Sequence, residues 1–236
     1  VFIKPGLRGA DFDITVRNSS QLKQEFSVHT AIRSVKDKSL LFNGTGLKGV
    51  ALAPGEEKTF YYFVKNVRPK LWTPATPNLY DFSFSLNGAN NNIIDDTAVC
   101  SGFKTFVVKN GYFYLNGKPY WLRGADQTAM PLAPNDTALA DKFTKLMHDG
   151  NMQVTRTHTV PYTATWMDAA DKYGVGVSYE GTWPWLMLDN SPIPDRKLLA
   201  IWADEFCDLI KKYRNHPSMM IWTMNNEMKF YNGDHD

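Results

Sequence analysis

The 236-residue chain has few cysteines, no large excess of either charge and no long apolar run. Its two cysteines, Cys100 and Cys207, fall in regions of different character, which argues against a disulfide, and their spacing does not match a zinc site. The net charge of +2 gives no reason to expect nucleic acid or an anionic membrane surface as a partner. No segment approaches the roughly 20 apolar residues of a membrane span. These absences leave a globular protein with an ordinary core.

The first 18 residues, "VFIKPGLRGADFDITVRN", lack an initiating Met and the apolar core of a signal peptide. We therefore interpret the start as a cut upstream of a strand, so that any export signal would lie outside these residues and the compartment is not predicted. Aromatic residues make up 14% of the chain and include seven Trp, a content that suits a core and also stacking against sugar rings. Three glycosylation sequons, at Asn18, Asn43 and Asn135, carry little weight because this pattern often arises by chance.

Residues 1–108 have the pattern of an all-β domain. Phe12, Ile14 and Val16 alternate with polar residues, as expected for a half-buried strand. Strand-like segments recur, separated by turn clusters such as "APGEE" and "NGANNN", and they are residues 11–18, 24–35, 58–66, 79–86 and 102–111. Short strands at this spacing over about 100 residues predict an immunoglobulin-like β-sandwich.

Residues 109–236 change to alternating strands and helices. Strands are predicted at residues 120–123, 152–158, 175–180 and 218–227. Helices are predicted between them, in residues 135–151, 162–174 and 195–215. Asn135 or Asp136 is the expected cap of the first helix, Gly150 and Gly174 are expected to end the first two, and Leu198, Trp202, Phe206 and Leu209 are expected to face inward from the third. Crossover helices between strands predict a parallel sheet.

Polar residues follow each of these four predicted strands. They are Arg123, then Arg156 and His158, then Glu180, and finally Asn226 and Glu227. Because active sites of (β/α)8 barrels lie at the carboxyl ends of the strands, this pattern favours a barrel over a doubly wound sheet. The first strand is not followed by G-x-G-x-x-G, and G-x-S-x-G is absent, which disfavours a nucleotide-binding sheet and an α/β hydrolase. A barrel needs about eight strands, so we expect this chain to hold half of one.

Several segments resemble glycoside hydrolase family 2, which includes β-galactosidases, β-glucuronidases and β-mannosidases. They are "GFKTFVVKNGYFYLNGKPYWLRGAD", "TRTHTVPYTATWMDAADKYGVGVSYE", "RNHPSMMIWTMNNE" and, in the β-rich region, "LWTPATPNLYDFSFSL". The resemblance implies an immunoglobulin-like domain in residues 1–108, followed by the first four strands and three helices of a TIM barrel in residues 109–236. It also implies a retaining β-glycosidase, β-galactosidase-like, acting on a carbohydrate.

The resemblance assigns roles to individual residues. Glu227 matches the general acid/base, and Asn226 matches the residue that binds the 2-hydroxyl of the sugar. The nucleophile of the family is a Glu after the seventh strand, so we expect no useful hydrolysis by these 236 residues alone. The other expected substrate-binding residues are Arg123, Arg156, His158, Glu180, Trp183 and Trp185. The segment His216-Pro217 precedes the fourth strand and is interpreted as structural.

Two positions depart from the family pattern. Asn225 stands where many members have Gly, and Asn-Asn-Glu is typical of the mannosidase-like members. Tyr179 stands where many have Asp before Glu180, which argues against a metal site of the galactosidase type. We expect no metal and no cofactor. A half barrel would expose strand edges, which predicts dimerisation or a poorly ordered C-terminal region. The alternative function is a non-catalytic carbohydrate-binding or degenerate relative.

Overall fold

The computed structural model of the chain describes residues 1–127, 129–158, 160–181 and 195–226. The chain divides into two compact units, Val1–Trp121 and Leu122–Asp236. The predicted domain boundary at residues 108 and 109 lies within a set of short strands that belongs to the first unit.

The first unit consists of strands. They are β1 (Phe2–Pro5), β2 (Gly9–Arg17), β3 (Gln24–Ser34), β4 (Leu40–Leu52), β5 (Glu57–Lys65), β6 (Trp72–Thr73), β7 (Thr76–Pro77), β8 (Tyr80–Gly88), β9 (Ile93–Ser101), β10 (Phe106–Lys109), β11 (Tyr112–Leu115) and β12 (Lys118–Pro119). The larger sheets have the strand orders β1-β2-β5 and β4-β3-β8-β9, and all their pairs are antiparallel.

The two larger sheets share one hydrophobic core. Phe12 and Ile14 are buried from β2, as the alternating pattern predicts, and Phe82 and Phe84 are buried from β8. The ring of Phe12 lies 5.4 Å from the ring of Phe84 and 5.1 Å from that of Tyr62 in β5. Edge-to-face and tilted ring contacts of this kind stabilise a core beyond the burial of area alone. The predicted β-rich N-terminal region is therefore confirmed as two packed sheets.

The second unit alternates strands and helices. Its elements are β13 (Gly124–Gln127), a short 3₁₀ helix (Met130–Leu132), α1 (Thr137–Asp149), β14 (Val154–Thr157), α2 (Ala164–Tyr173), β15 (Gly176–Glu180), α3 (Arg196–Tyr213) and β16 (Met219–Thr223). The sheet is parallel, and its strands lie in chain order, β13-β14-β15-β16. A doubly wound sheet reverses its strand order, and no reversal occurs among the strands described. The arrangement is that of part of a TIM barrel.

The helix ends follow the predicted signals. Asp136 caps α1 by accepting a hydrogen bond from the backbone N–H of Leu139, and Asp195 caps α3 in the same way. Gly174 ends α2 with a φ of 76°, a left-handed conformation that favours glycine. The expected inward position of Leu198 is wrong, since 40% of it is exposed and α3 contacts the core through its later turns.

Two further observations concern the cysteines and the length and polarity of the helices. Cys100 and Cys207 are both exposed thiols, and no disulfide joins them. Within the described ranges, the helices are all too short or too polar to cross a membrane.

Candidate active site

Three of the predicted site residues meet at the carboxyl ends of the parallel strands. Arg156 lies in β14, Glu180 ends β15, and Asn226 follows β16. The Nη2 atom of Arg156 lies 2.9 Å from Oε2 of Glu180 and also donates a hydrogen bond of 2.9 Å to Oδ1 of Asn226. The Nε atom of Arg156 donates a second bond, of 3.1 Å, to the same oxygen of Glu180. One guanidinium group therefore connects three neighbouring strands.

Because Glu180 is buried, its carboxylate needs a close and well-oriented partner. Glu180 is only 1% exposed, whereas the side chain of Arg156 is 32% exposed. A carboxylate removed from water needs a charged and hydrogen-bonded partner, because an isolated buried charge is very costly. The planar fork of arginine provides several fixed donors to oxygen acceptors. The backbone N–H of Glu180 is also satisfied, by a 2.8 Å bond to Oγ1 of Thr157.

The bond from Arg156 fixes the orientation of the Asn226 side chain. Because its Oδ1 accepts from a guanidinium group, which has only donors, the remaining functional group of the amide is its NH2 donor. Asn226 is 6% exposed and directly precedes Glu227 in the chain. The site thus holds a buried amide group whose NH2 can still donate a hydrogen bond.

His158 lies at the margin of this cluster. Its Nδ1 atom is 3.9 Å from Oε2 of Glu180, too far for a hydrogen bond. That nitrogen is buried and has no hydrogen-bond partner within the described part of the chain. His158 is thus near the carboxylate without being held by it.

Arg123 lies elsewhere, because the strand predicted at residues 120–123 is wrong. The strand begins at Gly124, so Arg123 precedes it and lies at the amino-terminal edge of the sheet. Its side chain is exposed and donates a 3.2 Å bond to Oδ1 of Asn151. Its backbone carbonyl accepts hydrogen bonds from Gln153 and Val154, which lead into β14. The structure does not bring Arg123 together with Arg156 and Glu180.

The remaining predicted site residues, Glu227, Trp183 and Trp185, lie outside the described residues. Tyr179, which stands where the family pattern has Asp, directs its ring toward the helices, and its hydroxyl donates a 2.8 Å bond to the carbonyl of Tyr162. Successive residues of a strand face opposite sides of the sheet. Tyr179 therefore belongs to the core, and Glu180 belongs to the site.

A hydroxyl pair missed by the sequence reasoning lies on neighbouring strands near the cluster. The hydroxyl groups of Ser178 in β15 and Thr223 in β16 are 2.8 Å apart. Ser178 precedes Glu180 by two residues, so it shares the same face of the strand. Side chains alternate between the two faces of a strand, so the position of Ser178 two residues before Glu180 was the sequence signal for this pair.

Comparison with known families covers nearly the whole chain. Residues 106–236 match the model described as "Glycosyl hydrolases family 2, TIM barrel domain", and residues 1–104 match the model "Glycosyl hydrolases family 2". The chain is 28% identical over 242 residues to a β-galactosidase of Alteromonas mediterranea, covering 96% of this chain and 23% of that protein. It is 30% identical over 168 residues to a β-galactosidase of Photobacterium profundum, covering 67% of this chain and 16% of that protein. The chain thus spans less than a quarter of the length of these relatives.

Solved structures of a β-glucuronidase and of a glycosyl hydrolase have the same fold. A β-glucuronidase of Bacteroides uniformis matches 97% of this chain and 28% of its own length, with a TM-score of 0.77 and 24% identity. A glycosyl hydrolase family 2 member of Bacteroides cellulosilyticus matches 97% of this chain and 31% of its own, with a TM-score of 0.78 and 19% identity. At these identities the likeness supports the fold alone. The family match over residues 106–236, which is more than half of the chain, shows that this protein belongs to glycosyl hydrolase family 2.

Proposed function

We propose that the chain forms part of a retaining β-glycosidase, with Glu227 as its general acid/base. In this proposal the first unit is an immunoglobulin-like domain, and β13–β16 are the first four of eight barrel strands. The chain-order arrangement of these strands supports the second assignment.

The observation that carries the proposal is the bond from Arg156 to Asn226. It anchors the residue next to Glu227 at the carboxyl edge of the sheet, where the strands of a barrel place catalytic groups. It also leaves the amide NH2 of Asn226 as a donor for a hydroxyl group of the substrate. Hydrogen bonds to the 2-hydroxyl of a sugar strengthen as an oxocarbenium-like transition state develops.

The mechanism divides its steps between two carboxyl groups about 5–5.5 Å apart. In the first step Glu227 protonates the leaving oxygen, while a carboxylate outside this chain attacks the anomeric carbon and forms a glycosyl–enzyme ester. In the second step Glu227 removes a proton from water, which attacks the same carbon and releases the sugar and the carboxylate. Arg156 orients Asn226 and neutralises Glu180, and His158, Trp183 and Trp185 contact the sugar.

For the substrate we propose a β-galactoside. The relatives matched along the sequence, including those of Alteromonas mediterranea and Photobacterium profundum, are named as β-galactosidases. The β-glucuronidases matched by fold are less similar in sequence and carry less weight for the substrate.

The test uses the longer protein that carries these residues with a complete barrel. Glu227→Ala should lower kcat/KM by about 10²–10⁴-fold on a β-galactoside with a poor leaving group, because protonation by a positioned acid contributes about this much. The loss should be smaller on a β-galactoside with an activated aryl leaving group. Azide should restore turnover by attacking the glycosyl–enzyme ester to give a glycosyl azide, because azide, unlike water, needs no general base. Lys211→Ala, on the exposed surface of α3, serves as the matched control.

Unchanged activity of Glu227→Ala would remove Glu227 from the mechanism. Sugar binding without turnover by the unaltered longer protein would instead favour the non-catalytic alternative. Because the chemistry needs two carboxyl groups, the 236 residues alone should show no turnover of aryl β-galactosides, β-glucuronides or β-mannosides.

A further inference from the structure

A second buried polar cluster lies at the opposite, amino-terminal edge of the parallel sheet. Asp171 in α2 uses both of its carboxylate oxygens to hold the segment that leads into β16. Its Oδ2 atom lies 2.6 Å from Nδ1 of His216, and its Oδ1 atom accepts a 2.9 Å bond from the backbone N–H of Ser218. A single side chain therefore fixes the last residues before β16 at two points.

The pair formed by Asp171 and His216 is buried, unlike an ordinary surface salt bridge. The side chain of Asp171 is 5% exposed and that of His216 is 16% exposed. The described groups around the imidazole are Asp168 and Asp171 from α2 and the ring of Tyr213 from α3, whose centroid is 5.7 Å away. Asp168 is a weaker neighbour, because its oxygen is 3.9 Å from Nδ1 and its side chain is 74% exposed.

The same three side chains, Asp168, Asp171 and His216, form a set of metal-ligand type, with ligand atoms within 4.8 Å of one another. The distances favour a proton over a metal ion. Two ligand atoms bound to a tetrahedral zinc at about 2.0–2.1 Å lie roughly 3.3 Å from each other. The 2.6 Å separation of Nδ1 and Oδ2 is too short for that arrangement and lies close to the roughly 2.7–2.9 Å of a charge-assisted hydrogen bond.

The irregular pairing between β15 and β16 explains why a separate contact is needed to fix the start of β16. Val177 pairs with Met219, but Ser178 pairs with Ile221, so the register between β15 and β16 is interrupted. A regular ladder fixes strand register through many equivalent bonds, and an irregularity weakens that control. The bonds from Asp171 fix the start of β16 independently of its ladder with β15.

We propose that Asp171 and His216 form a proton-dependent clasp that sets the position of β16 and, through it, places Asn226 against Arg156 at the other end. Asp171 and His216 are thus positioning residues, and they touch no substrate. The assignment of Asn226 to sugar binding rests on the proposed function, whereas the clasp itself does not.

The electrostatics give the clasp a defined pH range. Burial lowers the pKa of His216, but the charge and hydrogen bond of Asp171, aided by Asp168, outweigh it, so the pKa is raised above the usual 6.5. A raised pKa means that the folded state binds the proton more tightly than the unfolded state. The resulting stabilisation is fully present below pH 6.5 and is lost as the pH rises through the folded pKa.

The first experiment follows the ring Cε1–H signal of His216 by NMR titration of the 236-residue chain. The unaltered chain should titrate above 6.5, and Asp171→Asn should titrate below 6.5, because burial remains without its counter-charge. Asp168→Asn, the matched control, should lower the pKa only slightly. Each unit of pKa shift should appear as a tenfold change in the unfolding equilibrium constant between the acidic and alkaline limits. A titration at or below 6.5 in the unaltered chain would overturn the clasp.

The second experiment tests the carboxyl end of β16. It measures the NMR chemical shift of the side-chain Nε–H of Arg156, which donates to Glu180. In the unaltered chain this signal should move with the same midpoint as His216. Asp171→Asn should displace it, and Asp168→Asn should not. His216→Gln, which keeps a donor, should retain the native position without the pH dependence, whereas His216→Ala should displace the signal.

If Asp171→Asn does not fold, the two His216 variants still decide the question. An Arg156 signal that is indifferent to all these changes would overturn the positioning role. An NMR signal of the substrate-free chain does not depend on catalysis, so failure of the proposed glycosidase activity would leave this result intact. Stabilisation of the chain by added zinc, reversed by a chelator, would replace the proton with a metal ion and also overturn the proposal.

Discussion

Asn18 in the first unit and Glu180 in the second are both nearly inaccessible polar residues, at 6% and 1% exposure, but their partners differ. The amide of Asn18 donates to the backbone carbonyls of Leu22, Leu52 and Ala53, and its oxygen accepts from Ser20. The carboxylate of Glu180 binds the side chain of Arg156. One residue completes the hydrogen bonding of the backbone, and the other assembles side chains from different strands.

This difference separates polar groups that the fold requires from polar groups that the fold tolerates. A buried backbone carbonyl must find a donor, so the side chain of Asn18 has no apolar substitute. An ion pair such as Arg156–Glu180 can often be replaced by apolar residues of similar size with no loss of stability. A costly pair at the carboxyl edge of a parallel sheet is therefore better explained by the site than by stability.

Removing one partner of the ion pair should give the largest effect. Arg156→Met leaves Glu180 buried without a counter-charge, and we expect a loss of about 3 kcal/mol in the second unit, at the low end for buried pairs because Arg156 is partly exposed. The double variant Arg156→Met/Glu180→Leu should recover the part of this loss that comes from the unpaired charge, whereas Oδ1 of Asn226 is without its Arg156 donor in both variants. Native-state hydrogen exchange of the β14 and β15 amides measures the stability of this unit separately.

The control for this pair is an exposed one. Lys211→Met removes the surface pair with Asp208 and should change stability by less than about 0.5 kcal/mol. If the double variant is as unstable as Arg156→Met, the second unit requires its polar cluster for folding, and the contrast between the two units disappears.

In the first unit, Asn18→Ala should cost about 2 kcal/mol, since it removes the donor of the buried carbonyl of Leu52 and of the partly buried carbonyls of Leu22 and Ala53. Asn18→Leu should not recover the loss, unlike the apolar double variant of the second unit. Asn43→Ala, at an exposed position of β4, is the matched control and should stay within about 0.5 kcal/mol. Hydrogen exchange of the β2 and β3 amides reports the result, and full tolerance of Asn18→Leu would contradict the assignment.

The sequence predicted the regular elements and left out the irregular ones. Strands with clear alternation, such as β2 and β8, were found, and so were the three α-helices of the described residues. No strand was predicted at residues 40–52 or 93–101, which form β4 and β9 at the edges of the four-stranded sheet. β4 contains Gly44, Gly46 and Gly49, and β9 begins with exposed residues, so neither has the alternation that indicates a half-buried strand.

For the candidate site, the positions of three polar residues were predicted where the strand ends were correct, and their roles stay a prediction. Arg156, Glu180 and Asn226 were expected at the ends of neighbouring strands, and they meet there. Arg123 was misplaced because "YWLR" has strand composition, whereas the strand begins at Gly124. A Cβ atom at Gly124 would lie 2.0 Å from the carbonyl oxygen of Val154, so close pairing with β14 selects this glycine. Such pairing is a tertiary property that a local pattern does not contain.

The cluster at the other edge illustrates the same limit over a longer distance. His216 was interpreted as structural, and its hydrogen bond to Asp171 agrees with that interpretation. The partner itself is 45 positions away in the sequence, and only the packing of α2 against the sheet brings the two together. Residue type therefore indicated a role for His216, and the fold was needed to identify what it binds.

The smallest expected effect tests whether the first unit also contains a polar pair that the fold merely tolerates. The hydroxyl groups of Thr30 and Tyr62 bind each other inside the sandwich, and neither depends on a backbone partner for that bond. Tyr62→Phe and Thr30→Val should each cost about 1 kcal/mol, and the double variant should cost less than their sum, because no hydroxyl is then left unpaired.

Alkaline pH gives a second measure of the same pair. Burial raises the pKa of Tyr62 to about 12, although the bond from Thr30 acts in the opposite direction. The folded state therefore keeps this proton where the unfolded state, with its pKa of about 10, has lost it. Stability should fall as the pH rises from about 10 to 12, and Tyr62→Phe should reduce that slope. An unchanged slope would show that Tyr62 is accessible to water, and an additive double variant would show that the two hydroxyls act separately.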